Sequence, residues 1–340
     1  MFTPGARMGR YVRSLSLRRI EFARGQLQIT GERIETRAVN LDFALSDNNP
    51  HSIYAISTNM KQALLLAVLG YLQVLVQSQP MQEGFVEVPG ARIHYKDSGG
   101  HGVPVIFLHA NTGTADAWEK QIPAFTGAGY RFIAYDRRGW GQSPAGPSGP
   151  ASTGADDLLA LAGHLKIDKF HLVSTAGGGF IGVDFVLSYP QRLRSFTLNC
   201  STSGITDPDY VAATRRMRPE VFTKLPNTFL ELSPSYRFAN PEGVARWSSF
   251  EEKSRPPEAL RGPAQPPKNK ITLAALESIK LPTLVIAGDA DLYAPPALMR
   301  RVAERIKGVQ FITVPDAGHS VWWETPDLFN RTVLAFIREH

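Results

Sequence analysis

From residue 85 onward, apolar and polar positions fall into a regular succession of short blocks. FVEVPGARIHYKDSG (85–99) alternates on either side of Pro89-Gly90, which predicts a hairpin. VPVIFLHA (103–110) is a continuous apolar run, as expected of a strand buried on both faces. Helix-like ADAWEKQIPAFTGAG (115–129) follows, then YRFIAYD (130–136), helical DDLLALAGHL (156–165) and strand FHLVST (170–175). FIGVDFVLSYP predicts a helix beginning at Phe180, before strand SFTLNC (195–200). PTLVIAGD (282–289), helix PPALMRRVAERI (295–306) and strand VQFITVPD (309–316) complete the series. Strands alternating with helices predict an α/β domain with a mostly parallel, doubly wound sheet.

The interval from about 205 to 280 breaks this alternation. DPDYVAATRRMRPEVFTKL and LSPSYRFANPEGVARWSSFEEKSR read as helical, and RPPEALRGPAQPPKNK as a Pro-rich loop. A segment that leaves the sheet after one strand and returns before the next predicts a helical lid, over about 205–275. It would cover the C-terminal ends of the strands, where open α/β sheets bind ligands.

The N-terminal part reads differently. Met60-Lys61-Gln62 precedes ALLLAVLGYLQVLV (63–76). This run is too short for a stable membrane span, which needs about 20 residues. It suits a signal-peptide core, with Lys61 as the charged start and Val76-Gln77-Ser78 as a cleavage site. Residues 1–59 show no sustained period. One reading makes Met60 the biological start and 1–59 an upstream extension, which implies a periplasmic or secreted protein. The other makes 1–78 an N-terminal arm with one anchor helix on a cytoplasmic protein. The ordered domain is expected over 84–340.

Composition narrows the partners. Hydrophobic residues are 43% and charged residues 20% of the 340, as in globular proteins. The net charge is +6, but half of it sits in residues 1–59, where eight Arg face five acids. With no compact basic cluster, a nucleic-acid partner is not expected. Cys200 is the only cysteine, so no disulfide framework or cysteine metal site forms within one chain. The eight His show no HxxxH or HxH spacing near carboxylates, so no metal is expected, and no cofactor is implied.

The candidate chemistry lies at strand ends. Taken in order, FLHANTG, AYDRRGWGQS, HLVSTAGGG, YPQRLRSFTLNC, AGDADLYAPP and PDAGHS resemble segments of the α/β-hydrolase family. DRRGWGQS and GDADLYAPP are similar to the branch of haloperoxidase-like esterases, enol-lactonases and C–C bond hydrolases. The resemblance implies a nucleophile, an acid and a His in that chain order. His319 matches the His. Asp291 matches the acid, with Asp289 as the rival that more often serves the turn. Backbone N–H groups of Asn111 and Gly177 match the oxyanion hole, although Ala110 stands where the family has Gly. His109 and Trp322 are candidate pocket-wall residues, and a small-molecule ester or lactone is the implied substrate.

The nucleophile position departs from the family. Gly-x-Ser-x-Gly falls on Ser174-Thr175-Ala176-Gly177-Gly178, which puts Ala176 at the apex. Alanine has no atom to attack with. Three explanations stand: an engineered replacement of Ser, a natural branch in which His319 activates water or deprotonates substrate, and a silent binding protein. Ser174 and Thr175 flank the apex as candidate displaced nucleophiles. A non-hydrolytic lyase, a cofactor-free oxygenase or a ligand-binding protein remains the alternative to a hydrolase. The segment 205–275 adds aromatics that pack the lid, and arginines (Arg215, Arg216, Arg218, Arg237, Arg246) that either lie on solvated helix faces or meet an anionic substrate.

Overall fold

A computed structural model describes residues 19–23, 26–30, 81–145 and 152–340. The chain divides into two compact units, Met1–Gly70 and Tyr71–His340. The expected signal-like segment 60–78 lies outside the described residues. In the first unit, β1 (Arg19–Ala23) and β2 (Gln26–Thr30) pair antiparallel, with Ile20 opposite Ile29 and Phe22 opposite Leu27. The two alternations are only five residues each, too short to register as a sustained period.

The second unit holds an eight-stranded sheet. Its strands are β3 (Gln82–Val88), β4 (Ala91–Asp97), β5 (Pro104–Leu108), β6 (Arg131–Tyr135), β7 (Phe170–Thr175), β8 (Leu193–Asn199), β9 (Thr283–Gly288) and β10 (Gln310–Val314). The spatial order is β10-β9-β8-β7-β5-β6-β4-β3. The β3–β4 hairpin turns at Pro89-Gly90 and joins β6 antiparallel; every other pairing is parallel. The doubly wound α/β expectation therefore holds.

Alternation along each central strand feeds two core layers. Ile106 and Leu108 of β5 enter one layer with Phe196, Leu198 and Val285. Val105 and Phe107 enter the other with Trp118, Phe125 and Ile286. This explains why β5 reads as a continuous apolar run, while β7 carries His171, Ser174 and Thr175 as buried polar residues among its apolar ones.

The helices are α1 (Ile122–Gly127), α2 (Gly154–His164), α3 (Gly178–Ser188), α4 (Pro208–Arg216), α5 (Asn227–Glu231), α6 (Pro234–Ala239), α7 (Pro241–Ser254), α8 (Leu273–Leu276), α9 (Pro296–Ala303), α10 (Val321–Glu324) and α11 (Pro326–Arg338). Thr153 caps α2 by accepting the Asp156 N–H, and Asp156 and Asp157 sit in its first turn, where the helix dipole favours them. α3 begins at Gly178, two residues before the expected Phe180. It lacks a side-chain cap, and its first residues serve close approach instead: a Cβ on Gly178 would meet the carbonyl oxygens of Leu108 and His109 at 2.6 and 2.7 Å. Helices α4–α7 occupy the interval between β8 and β9, with irregular backbone through the Pro-rich stretch 255–270 apart from a short turn at Glu258–Leu260. Among the described residues, no helix is long and apolar enough to cross a membrane.

Candidate active site

The C-terminal ends of the parallel strands, together with the α4–α7 segment, enclose a cavity of about 600 Å³. Its lining includes Asn111 after β5, Ala176 and Gly177 after β7, Cys200 after β8, Tyr293 after β9 and His319 after β10. Chain order and sheet order thus bring residues from five strand ends to one place.

Ala176 sits at φ +48°, in the left-handed region that costs an L-residue about 1 kcal/mol or more. The strain is held by the chain on both sides. The Ala176 N–H donates to the Asn199 carbonyl, and its own carbonyl accepts from the Gly179 N–H and from Ser201 Oγ at 2.7 Å. A strand that ends in a strained apex and runs directly into a helix presents one side chain at the turn, and at this apex that side chain is the methyl group of Ala176.

The hydroxyls on either side of the apex point into the protein. Ser174 Oγ is buried and donates to the Thr197 carbonyl at 3.2 Å. Thr175 Oγ1 is buried and accepts from Asn199 Nδ2 at 2.8 Å. Neither lines the cavity. Cys200 does, but burial and then the charge of Asp291 push its thiol well above the usual range, so it is held as a thiol rather than a thiolate.

His319 and Asp291 meet. His319 Nδ1 lies 2.8 Å from Asp291 Oδ2, and both side chains are buried. The other carboxylate oxygen accepts the N–H groups of Tyr293 and Ala294 at 2.7 and 2.9 Å, which fixes the carboxylate plane. Burial pulls the His319 pKa down. The charge and hydrogen bond of Asp291, with the charge of Glu231, outweigh it, so the net direction is up. Asp289 is exposed and its backbone N–H serves the turn by donating to Val314. Among the described residues, the backbone N–H groups of Asn111 and Gly177 have no protein acceptor.

Two expected wall residues lie elsewhere. His109 is buried behind the cavity. Its Nδ1–H donates to the Ala110 carbonyl at 2.6 Å and its Nε2 accepts the Arg137 N–H at 2.9 Å, so the neutral ring is spent on backbone. Trp322 packs on Trp118 at 4.9 Å, in the core layer beneath the site. Its nearness to His319 in sequence does not carry over, because α10 turns that side chain away. Of the arginines singled out in 205–275, only Arg218 lines the cavity; its Nη2 donates to the Tyr293 carbonyl at 2.8 Å.

Glu231, which no motif marks, also lines the cavity. It is buried, and its two oxygens accept from Thr112 Oγ1 and Ser320 Oγ at 3.2 and 3.3 Å. Burial raises its pKa, opposed by the charge of His319. Among the described residues, no group of three or more His, Cys, Asp or Glu is arranged to hold a metal ion.

Comparisons with known proteins agree with this architecture. The α/β hydrolase fold family profile matches residues 103–326. A Mycobacterium tuberculosis (strain ATCC 25618 / H37Rv) protein with the provisional name non-heme bromoperoxidase BpoC is 29% identical over 258 residues, which cover 71% of this chain and 95% of that one. The structure of a thermophilic esterase from Thermogutta terrifontis, with malate bound, superposes with a TM-score of 0.64 at 26% identity, covering 76% of this chain and 98% of its own. The enol-lactonase from Burkholderia xenovorans LB400 superposes at 0.59 with 25% identity, covering 75% of this chain and all of its own (100%). With its sheet order, its strained apex after β7 and its family profile in accord, the chain belongs to the α/β hydrolase fold family.

Proposed function

We propose that the protein is a hydrolase of small carboxylic esters or lactones whose nucleophile position is filled by alanine. The observation that carries this reading is the buried His319–Asp291 pair facing a cavity that also holds two unpaired backbone N–H groups. In this reading the N–H groups of Asn111 and Gly177 form an oxyanion hole for the scissile carbonyl. Helices α4–α7 act as a lid. Asp291 holds the Nδ1–H tautomer of His319, which leaves Nε2 as the base.

With Ala176 in place, no acyl-enzyme forms at the apex. His319 Nε2 takes a proton from a water bound beside Ala176, and the hydroxide attacks the carbonyl held by the two N–H groups. The proton then passes from His319 to the leaving alkoxide. General-base assistance of this kind contributes roughly 10²–10⁴-fold. The names of the relatives (esterase, lactonase) support the substrate class. Ala176 itself favours a second reading, in which His319 abstracts a proton from a bound substrate without hydrolysis.

One experiment separates them. Turnover of p-nitrophenyl esters is measured for this chain and for Ala176→Ser. The expected result is weak turnover by the parent and a gain of roughly 10³-fold or more in kcat for the variant. If neither hydrolyses any ester, the hydrolase reading fails.

A further inference from the structure

A second cavity, of about 500 Å³, adjoins the first and shares Asn111, Trp140, Gly177, Phe180 and Arg255 with it. We propose that Arg137 and Arg255, both stacked on the Trp140 ring, form a binding subsite for a carboxylate carried by the substrate, at the junction of these two cavities. The proposal rests on the ester or lactone reading above and names its substrate class: a compound with a free carboxylate beyond the reacting carbonyl.

Arg137 is the anomaly that calls for a ligand. A buried guanidinium loses its hydration, and proteins ordinarily repay that with a carboxylate. Its neighbour Arg138 shows the usual arrangement, with Nε and Nη2 donating to the two oxygens of Asp157 at 2.9 and 2.8 Å. Arg137 is 5% exposed and has no such partner among the described residues. Its Nη2 donates to the neutral Asn111 Oδ1 at 2.8 Å, and its Nε donates to nothing. Guanidinium remains charged at neutral pH, so this is an uncompensated buried cation.

Arg255 doubles the charge. Its guanidinium carbon lies 3.8 Å from the Trp140 ring centroid, and that of Arg137 lies 4.2 Å from the same centroid. One indole thus gathers two like charges that repel each other. Arg261, which lines the second cavity, adds a third nearby and spends its Nε on the Pro256 carbonyl. The acids within reach are already engaged. Asp157 is held by Arg138 and Gln265, and Asp184 by the N–H groups of Lys268 and Asn269 and by the Asn269 amide. Glu251 lines only the first cavity and accepts from Asn227 Nδ2.

The chemistry favours carboxylate. Its planar pair of oxygens fits the guanidinium fork, and Trp140 offers an apolar shelf alongside. Asn111 joins the subsite to the reacting centre, since its side chain accepts from Arg137 and the residue lines both cavities. The remaining wall of the second cavity, with Ile181, Pro263, Pro266 and Ile271, suits the hydrocarbon link between the two groups.

The test is equilibrium binding, which needs no turnover. The monomethyl esters of succinic, glutaric and adipic acids are titrated calorimetrically into the full chain at low salt, with the dimethyl esters as neutral controls. At least one monoanion is expected to bind roughly tenfold or more tightly than its dimethyl ester. Arg255→Met is expected to abolish that advantage while leaving the neutral esters unchanged. Arg137→Met is expected to do the same; if it does not fold, Arg137→Lys, which keeps the charge but not the fork, is expected to lose part of the advantage. Equal affinity for anion and diester, binding of neither, or an unchanged preference in Arg255→Met would overturn the subsite. The hydrolase reading is judged separately on Ala176→Ser. Anion binding without any ester turnover by that variant would sink the hydrolase reading and leave the subsite. Turnover of neutral and anionic esters with equal KM would do the reverse.

Discussion

A histidine works as a base only while it lacks a proton, so in the proposed mechanism the charges around His319 set the pH at which the site operates. Asp291 and Glu231 both favour the imidazolium, and together they outweigh burial. The acid limb of the activity profile should therefore lie above the ordinary imidazole value of 6.5. In the Ala176→Ser background, Asp291→Asn removes both the charge and the tautomer control. It should lower kcat by roughly 10³–10⁴-fold and move the acid limb to lower pH. Glu231→Gln removes a charge that does not touch the His319 ring, so the limb should move down while the plateau kcat stays within about threefold of its parent. An unmoved limb in both variants would show that neither carboxylate tunes His319. The sequence marked His319, Asp291 and Ala176 because each lies in a short motif at a strand end. It did not mark Glu231 or Arg137's lack of a partner. Glu231 reaches the cavity from a segment with no motif, and a missing counter-ion is visible only when every neighbouring side chain is placed. His109 and Trp322 misled for a related reason: proximity in sequence does not say which side of the sheet a side chain faces.

At the scale of elements, the junction of β7 with α3 is where local rules are broken, and the breakage is built in. The elements themselves were legible, since buried parallel strands read as apolar runs. The start of α3 was not, because Gly177-Gly178-Gly179 reads as a loop until the strand it packs against is known. Gly178 is required by the carbonyls of Leu108 and His109, which are backbone and cannot swing aside. Gly178→Ala should cost roughly 1–3 kcal/mol in denaturant unfolding. Ala176→Ser places no branched Cβ on the φ +48° backbone, so it should fold as the parent does. Ala176→Val should be less stable by about 1 kcal/mol or more, because a β-branched residue tolerates that region poorly. Equal stability of the Val variant would mean that the apex relaxes out of the left-handed conformation.

For the whole molecule, four histidines divide by the sign of their shift, and the division shapes stability against pH. His171 on β7 is buried, with Nδ1 2.8 Å from Ser195 Oγ. Burial, then the charges of Arg194 and His340, push its pKa from 6.5 down to about 4. The unfolded chain therefore takes up this proton first as the pH falls. Its contribution is full above 6.5 and is lost between 6.5 and about 4. The slope is at most about 1.4 kcal/mol per pH unit. His109 is shifted down as well, by burial and by Arg137, and protonating it would break its bond from the Arg137 N–H. His94 has the opposite sign. Burial lowers it, but Asp136 at 3.1 Å and Glu83 at 3.2 Å outweigh that, and its pKa is raised. Its contribution is full below 6.5 and is lost as the pH rises through the folded value, as is that of His319. Stability should thus be greatest close to pH 6.5 and fall on both sides. Circular dichroism of denaturant unfolding across this range measures it. His171→Asn, which cannot take up the proton, should make the acid side shallower, leaving the share of His109, and should not touch the alkaline side. His94→Gln should make only the alkaline side shallower, leaving the share of His319. An acid slope identical in His171→Asn and parent would show that His171 is not the group that the fold keeps neutral.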